Sequence, residues 1–193
     1  SITGGTFTFD FIVPKDISYN YGPGKINFYG HETVTDANGS FEELIIGGSS
    51  DSLANDTEGP SMKIFMNDDN FVFGGTTDEN PRILVYVNDS SGINTIGTGI
   101  GHDLTAILDN QSVNPIVLND YYEADKDSYQ SGRIMYQLKS LEDGPHKLTL
   151  KVWDVYNNSS EDYTEFIVAS SEEFILKHIL NYPNPFTTHT SFY

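Results

Sequence analysis

The chain has 193 residues, room for one or two ordinary domains, and its 37% hydrophobic and 13% aromatic content excludes a disordered polymer. Ten Lys and Arg stand against 28 Asp and Glu. The resulting net charge of −18 excludes a nucleic-acid binder and a charge-driven ligand of anionic membranes or lipopolysaccharide. There is no cysteine, so disulfides, thiolate metal sites and a cysteine nucleophile are excluded within these residues. No window approaches the roughly eighteen apolar residues of a membrane span. Ser1-Ile-Thr-Gly-Gly does not read as a signal peptide, and a secreted parent would carry its targeting segment upstream.

In chain order, nearly every periodic segment reads as a strand. Thr6–Val13 alternates around Phe7, Phe9 and Phe11 and stops at Pro14. Lys25–Gly30 follows a Gly22-Pro23-Gly24 turn, and Phe41–Ile46 follows an Asp36-Ala37-Asn38-Gly39 turn. Period-two alternation bounded by Gly, Pro, Asn and Asp marks half-buried antiparallel strands. Residues 47–60 are small, acidic and turn-rich, and predict an interdomain linker. Asp51-Ser52-Leu53 within it resembles a short acceptor for O-linked glycans.

A second series follows at Met62–Met66, Phe71–Phe73, Ile83–Val87, Leu104–Leu108, Ile116–Leu118, Arg133–Leu138, His146–Trp153 and Tyr163–Val168. Short strands at this spacing predict an all-β fold, an immunoglobulin-like β-sandwich over 58–170. The first block, 1–57 with its linker, offers too few strands for a sandwich of its own. It is expected to be the rear part of a second β-sandwich domain. Glu172–Leu180 fits either a helix or a strand, within a terminal stretch 171–193 that reads as a linker and the first strand of a further β-domain.

Candidate chemistry is sparse. Acidic and amide clusters recur at Asn67-Asp68-Asp69-Asn70, Asp78-Glu79-Asn80, Asn88-Asp89, Asp125-Lys126-Asp127 and Asp154 with Asn157-Asn158. Such oxygens suit calcium, yet none of the runs has the spacing of the twelve-residue calcium loop, and Asp and Asn also serve as turn residues. No cofactor is expected, with calcium as the candidate ion. His102-Asp103 invites a hydrolase reading, but no Gly-x-Ser-x-Gly elbow accompanies it. The histidines at 31, 102, 146, 178 and 189 lack the spacing of a zinc-protease helix. Gly97–Gly101 lacks the Lys-Ser/Thr of a phosphate loop. Tyr121, Tyr122 and Tyr129 could form a sugar-stacking platform, which makes a carbohydrate-binding or adhesin module the alternative function. Trp153 ends an alternating strand and reads as a core anchor rather than a ligand platform.

The chain closes on Tyr182-Pro183-Asn184-Pro185-Phe186, a stiff segment whose prolines fix their own φ and hold the preceding residues extended. That segment resembles the sorting-type motif that opens a small C-terminal β-domain in surface proteins of the Bacteroidetes. Phe11–Ile17 with Gly24–Tyr29, Asn94–Asp109 with Pro115–Tyr121, and Leu141–Asn158 extend the likeness. Together these strings resemble the C-terminal region of the type IX secretion system sortases, of the gingipain-type cysteine peptidase family. The resemblance implies a parent cysteine endopeptidase at the cell surface, associated with the outer membrane. Such a parent removes C-terminal sorting signals from exported cargo and works beside an outer-membrane secretion-system protein. The family's nucleophile and catalytic histidine lie upstream of the matching region, so no catalytic residue carries over. The resemblance also leaves Asn181–Tyr193 as a lone first strand, expected to add to another sheet edge.

Overall fold

The computed structural model describes residues 4–17, 20–48, 56–96, 101–169, 181–182 and 191–192. Two long strands open the order of elements, β1 (Gly22–His31) and β2 (Asp36–Ile46), paired antiparallel from Gly22↔Ile46 to His31↔Asp36. Glu32 N donates to Thr35 O at 2.7 Å in the connecting turn. The expected turn at Asp36–Gly39 therefore lies inside β2, with Asn38 opposite Tyr29 and Gly39 opposite Phe28. Cross-strand pairing with aromatic partners outweighs the local turn preference of those residues. Gly22-Pro23-Gly24 likewise begins β1 rather than turning, a position at a strand start where Pro is tolerated.

Residues 7–13 make no ladder, against expectation, although their alternation is real. Phe7, Phe9 and Phe11 stack in file at 6.1 and 5.9 Å, and Phe28 of β1 meets Phe7 and Phe9 edge-on.

The second series is a β-sandwich. β3 (Ser61–Met66), β4 (Thr76–Thr77), β5 (Arg82–Asn88), β6 (Thr105–Leu108), β7 (Ile116–Val117), β8 (Tyr122–Ala124), β9 (Ser131–Gln137), β10 (Gly144–Trp153) and β11 (Ser159–Val168) follow in turn. One sheet has the order β3-β5-β9-β8 and the other β4-β11-β10-β6-β7. All neighbours are antiparallel except β4, which runs parallel to β11. Phe71–Phe73, expected as a strand, is not one: Phe71 packs against the core while Val72 and Phe73 face outward. Pairing on that edge begins only where Gly74 N reaches Glu165 O, just before β4. β4 and β8 are short and lack an apolar run such as the Ile116-Val117-Leu118 that marks β7, so nothing local sets them apart.

Inward positions of both sheets make one core. Met66, Ile83, Val85, Val87 and Ile134 face Ala106, Leu148, Leu150, Val152, Phe166 and Val168, all fully or nearly fully buried. Gly132 on β9 is required by close approach, since a Cβ there would lie 2.5 Å from Glu123 O and from the Tyr122 ring.

At the far end β12 (Asn181–Tyr182) pairs antiparallel with β13 (Ser191–Phe192). The described residues of the terminal stretch thus pair with one another, rather than leaving one strand to add to a foreign edge. The Glu172–Leu180 segment lies outside the described residues. Among the described residues no helix is long and apolar enough to cross a membrane.

Candidate functional site

The β10–β11 turn, residues 154–158, gathers groups from three distant segments, at 15–16, 56 and 89–92. Asp154 is fully buried and shapes the turn itself: Oδ1 accepts from Tyr156 N at 2.9 Å and Asn158 N at 2.7 Å, and Oδ2 accepts from Asn158 Nδ2 at 2.7 Å. Asn157 takes φ +68°, a left-handed conformation that Asn tolerates better than most residues. The turn is stitched to the 89–94 loop by Val155 N on Gly92 O at 3.1 Å and Asn94 N on Trp153 O at 2.9 Å. Gly92 has φ +110° and a Tyr129 ring carbon 2.7 Å from where a Cβ would sit, so only glycine fits.

Three carboxylates meet beside this turn. Asp56, Asp89 and Asp154 each place an oxygen within 4.8 Å of the others. Burial pushes the Asp89 carboxyl up, the Ser91 and Gly92 N–H groups pull it back, and the charges of Asp154 and Asp56 raise it again. Asp56 is held low by the Ser91 hydroxyl first, and by Glu58 N–H. Oxygens so placed could hold a divalent cation, while the same hydrogen bonds are what aspartates make in turns. The other acidic runs act as turn caps: Asp68 accepts from Asn70 N, Asp78 from Asn80 N, and Asp125 from the Ser131 hydroxyl.

The same end of the sandwich also receives the first block. Asp16, its side chain 6% exposed, accepts from Asn157 Nδ2 at 2.9 Å and Asn94 Nδ2 at 2.8 Å, and lies 2.6 Å from His102 Nδ1. With the carboxylate oxygen as acceptor, the facing Nδ1 takes the donor's part. His102 therefore pairs with Asp16 and not with its neighbour Asp103, which removes the geometric basis of a His102-Asp103 hydrolase. The supposed linker is partly seated as well, because Asn158 Nδ2 donates to Asp56 O at 3.1 Å and Pro60 is buried.

Trp153 is only half-buried, against the expectation of a core anchor. Its ring lies 4.4 Å from His102 with Lys151 Nζ 4.6 Å above it, and its indole N–H is buried without a partner. The three tyrosines do not share a platform. Tyr121 packs edge-on to Tyr136, Tyr122 buries its hydroxyl, and Tyr129 lines the junction with Phe11 and Val13.

Of the sorting-type motif, Tyr182 pairs with Ser191 through the backbone, while Pro183, Asn184, Pro185 and Phe186 lie outside the described residues. Asp51-Ser52-Leu53 and Gly97–Ile100 do too. Sequence reading missed Asp16 and Asp56 as partners of the turn. Asp16 lies 141 positions from Asn157, and no local pattern connects them.

No protein-family model matches the chain, and no curated protein matches it. Among solved structures, dimeric latent PorU from Porphyromonas gingivalis aligns with a TM-score of 0.59 and 30% identity, over 91% of this chain and 17% of that one. This supports a PorU-like relationship. The chain spans about a sixth of the PorU chain it matches. An endo-beta-1,4-mannanase from Thermotoga petrophila aligns with a TM-score of 0.40 and 13% identity, over 61% of this chain and 21% of that one. That second likeness is too slight to carry an argument.

Proposed function

We propose that the chain is the non-catalytic C-terminal β region of a type IX secretion sortase-like cysteine endopeptidase, serving as a spacer and partner-docking module. One observation carries the reading: 30% identity to PorU over 91% of this chain, confined to 17% of PorU. The absence of cysteine from the sequence agrees, because a cysteine peptidase must draw its nucleophile from elsewhere. On this reading the chain divides into a partial sandwich with linker at 1–57, an immunoglobulin-like sandwich at 58–170 and a terminal stretch from 171 led by the Tyr182–Phe186 motif. The parent sits at the cell surface beside the outer-membrane secretion-system protein and acts on the sorting signals of exported cargo.

The test is a pull-down of the outer-membrane partner by the intact parent with and without this region. Retention only when the region is present supports docking, and equal retention rejects it. Parentage is checked separately by the upstream sequence. A gingipain-like domain with paired histidine and cysteine supports the reading, and any other domain there ends it.

A further inference from the structure

The donors that surround Asp16 stand on three segments of the sandwich, 78, 86 and 141 positions away in the chain. Asn94 and His102 have side-chain contacts that do not involve Asp16, whereas the Asn157 amide bonds Asp16 and is carried there by the backbone of its turn. Asn94 is fully buried, with its backbone N–H on Trp153 O and its Oδ1 accepting from Ile96 N at 3.1 Å. Asn157 is set by the Asp154-capped turn, and the His102 ring rests against Trp153. Three N–H groups from separate segments converge on one carboxylate, a donor set that suits a planar anion.

The group that fills it arrives on a tight turn. Ile17 N closes onto Pro14 O at 3.2 Å, Lys15 N donates to Val155 O at 2.9 Å, and Lys15 Nζ lies 5.0 Å over the Tyr156 ring. Beside it runs an apolar seam of about 240 Å³, lined by Phe11, Val13 and Ile17 on one side and Ile93, Ile96 and Val155 on the other. Removing the carboxylate leaves three donors short of their acceptor in a nearly closed site, which costs far more than losing a surface contact.

We propose that this end of the sandwich is a carboxylate receptor, that the Pro14–Ile17 turn is its resident ligand, and that Asp16 is the latch joining the first β block to the sandwich as one body. The inference rests on intrachain geometry and stands whether or not the parent is a sortase.

The chain contains a single tryptophan, Trp153, packed on His102, so its fluorescence reports the latch directly. In the full chain, Asp16→Ala should red-shift Trp153 emission and raise the radius of gyration in small-angle scattering. Sodium formate should reverse both changes by supplying the missing carboxylate, and sodium chloride at equal ionic strength should not. Unchanged emission and radius in Asp16→Ala would overturn the proposal, as would changes that formate fails to reverse. Asp103→Asn, beside His102 in sequence, should be silent, and a response equal to that of Asp16→Ala would also overturn it. Should Asp16→Ala fail to fold, Asn157→Gly removes one donor and keeps the positive φ. A smaller expansion of the same kind then supports the latch, and an unchanged radius rejects it.

Discussion

Asn157 Nδ2 donates to Asp16 Oδ1 at 2.9 Å, while the next residue, Asn158, turns its amide to Asp154 Oδ2 and Asp56 O. One asparagine doublet thus grips the first block with one side chain and the linker with the other. The Asn158 side chain also holds the turn together, whereas the Asn157 side chain bonds only across the junction. Asn158→Ala should therefore cost the sandwich more, about 2 kcal/mol, than Asn157→Gly at about 1 kcal/mol, both read by urea unfolding.

Asp154 organises that turn from a fully buried position. Asp154→Ala strands two backbone N–H groups and should cost about 3 kcal/mol. A loss no larger than that of an exposed turn aspartate such as Asp78 would contradict this role.

Asp89 behaves in the opposite sense. Its folded pKa is raised above the ordinary 3.8, so its ionisation works against the fold once pH climbs past that value. Asp89→Asn keeps Oδ1 as acceptor for Ser91 N and Gly92 N and removes one of three crowded charges. The variant should melt at or above the wild-type temperature at neutral pH, and the gain should vanish below pH 3.8. A variant that melts lower, together with loss of a calcium-induced rise in melting temperature, would instead assign the three carboxylates to a cation.

His146 is wired as an imidazolium. Burial alone would lower its pKa, but Nε2 faces Glu142 O at 2.7 Å and Nδ1 faces Asp109 Oδ2 at 2.7 Å, and together they raise it. Two acceptors require two N–H donors, which only the charged ring supplies. Stability from this pair is complete below the ordinary pKa of 6.5 and is lost as pH rises through the raised one. The melting temperature of the wild type should fall across that window, and His146→Ala should flatten the fall. An equal slope in the variant would refute the assignment.

Tyr122 offers a stabilising substitution. Its hydroxyl is buried without a partner, and burial, reinforced by Asp125, pushes its pKa up to about 12. Tyr122→Phe removes an unsatisfied polar group and should stabilise the sandwich by up to about 1 kcal/mol in urea unfolding. A loss of that size would show that the hydroxyl is hydrogen-bonded in solution.

The sequence by itself determined the all-β class, the strands β5, β9, β10 and β11, and the alternation along β10 that buries Leu148, Leu150 and Val152. Side chains on a strand alternate with period two whatever the strand packs against, so those positions are legible locally. It also carried long strings across most of the chain, and the similarity to PorU supports a PorU-like relationship. Only the tertiary structure decided that Phe7–Val13 stacks instead of pairing, that Asp36–Gly39 is strand rather than turn, and that β4 and β8 exist. It alone brought Asp16, Asn94, His102 and Asn157 to one point, because polar convergence across many tens of residues has no period and leaves no local trace. The acidic and amide residues of the 154–158 turn were visible as chemistry. Their partners were set by how the chain closes on itself.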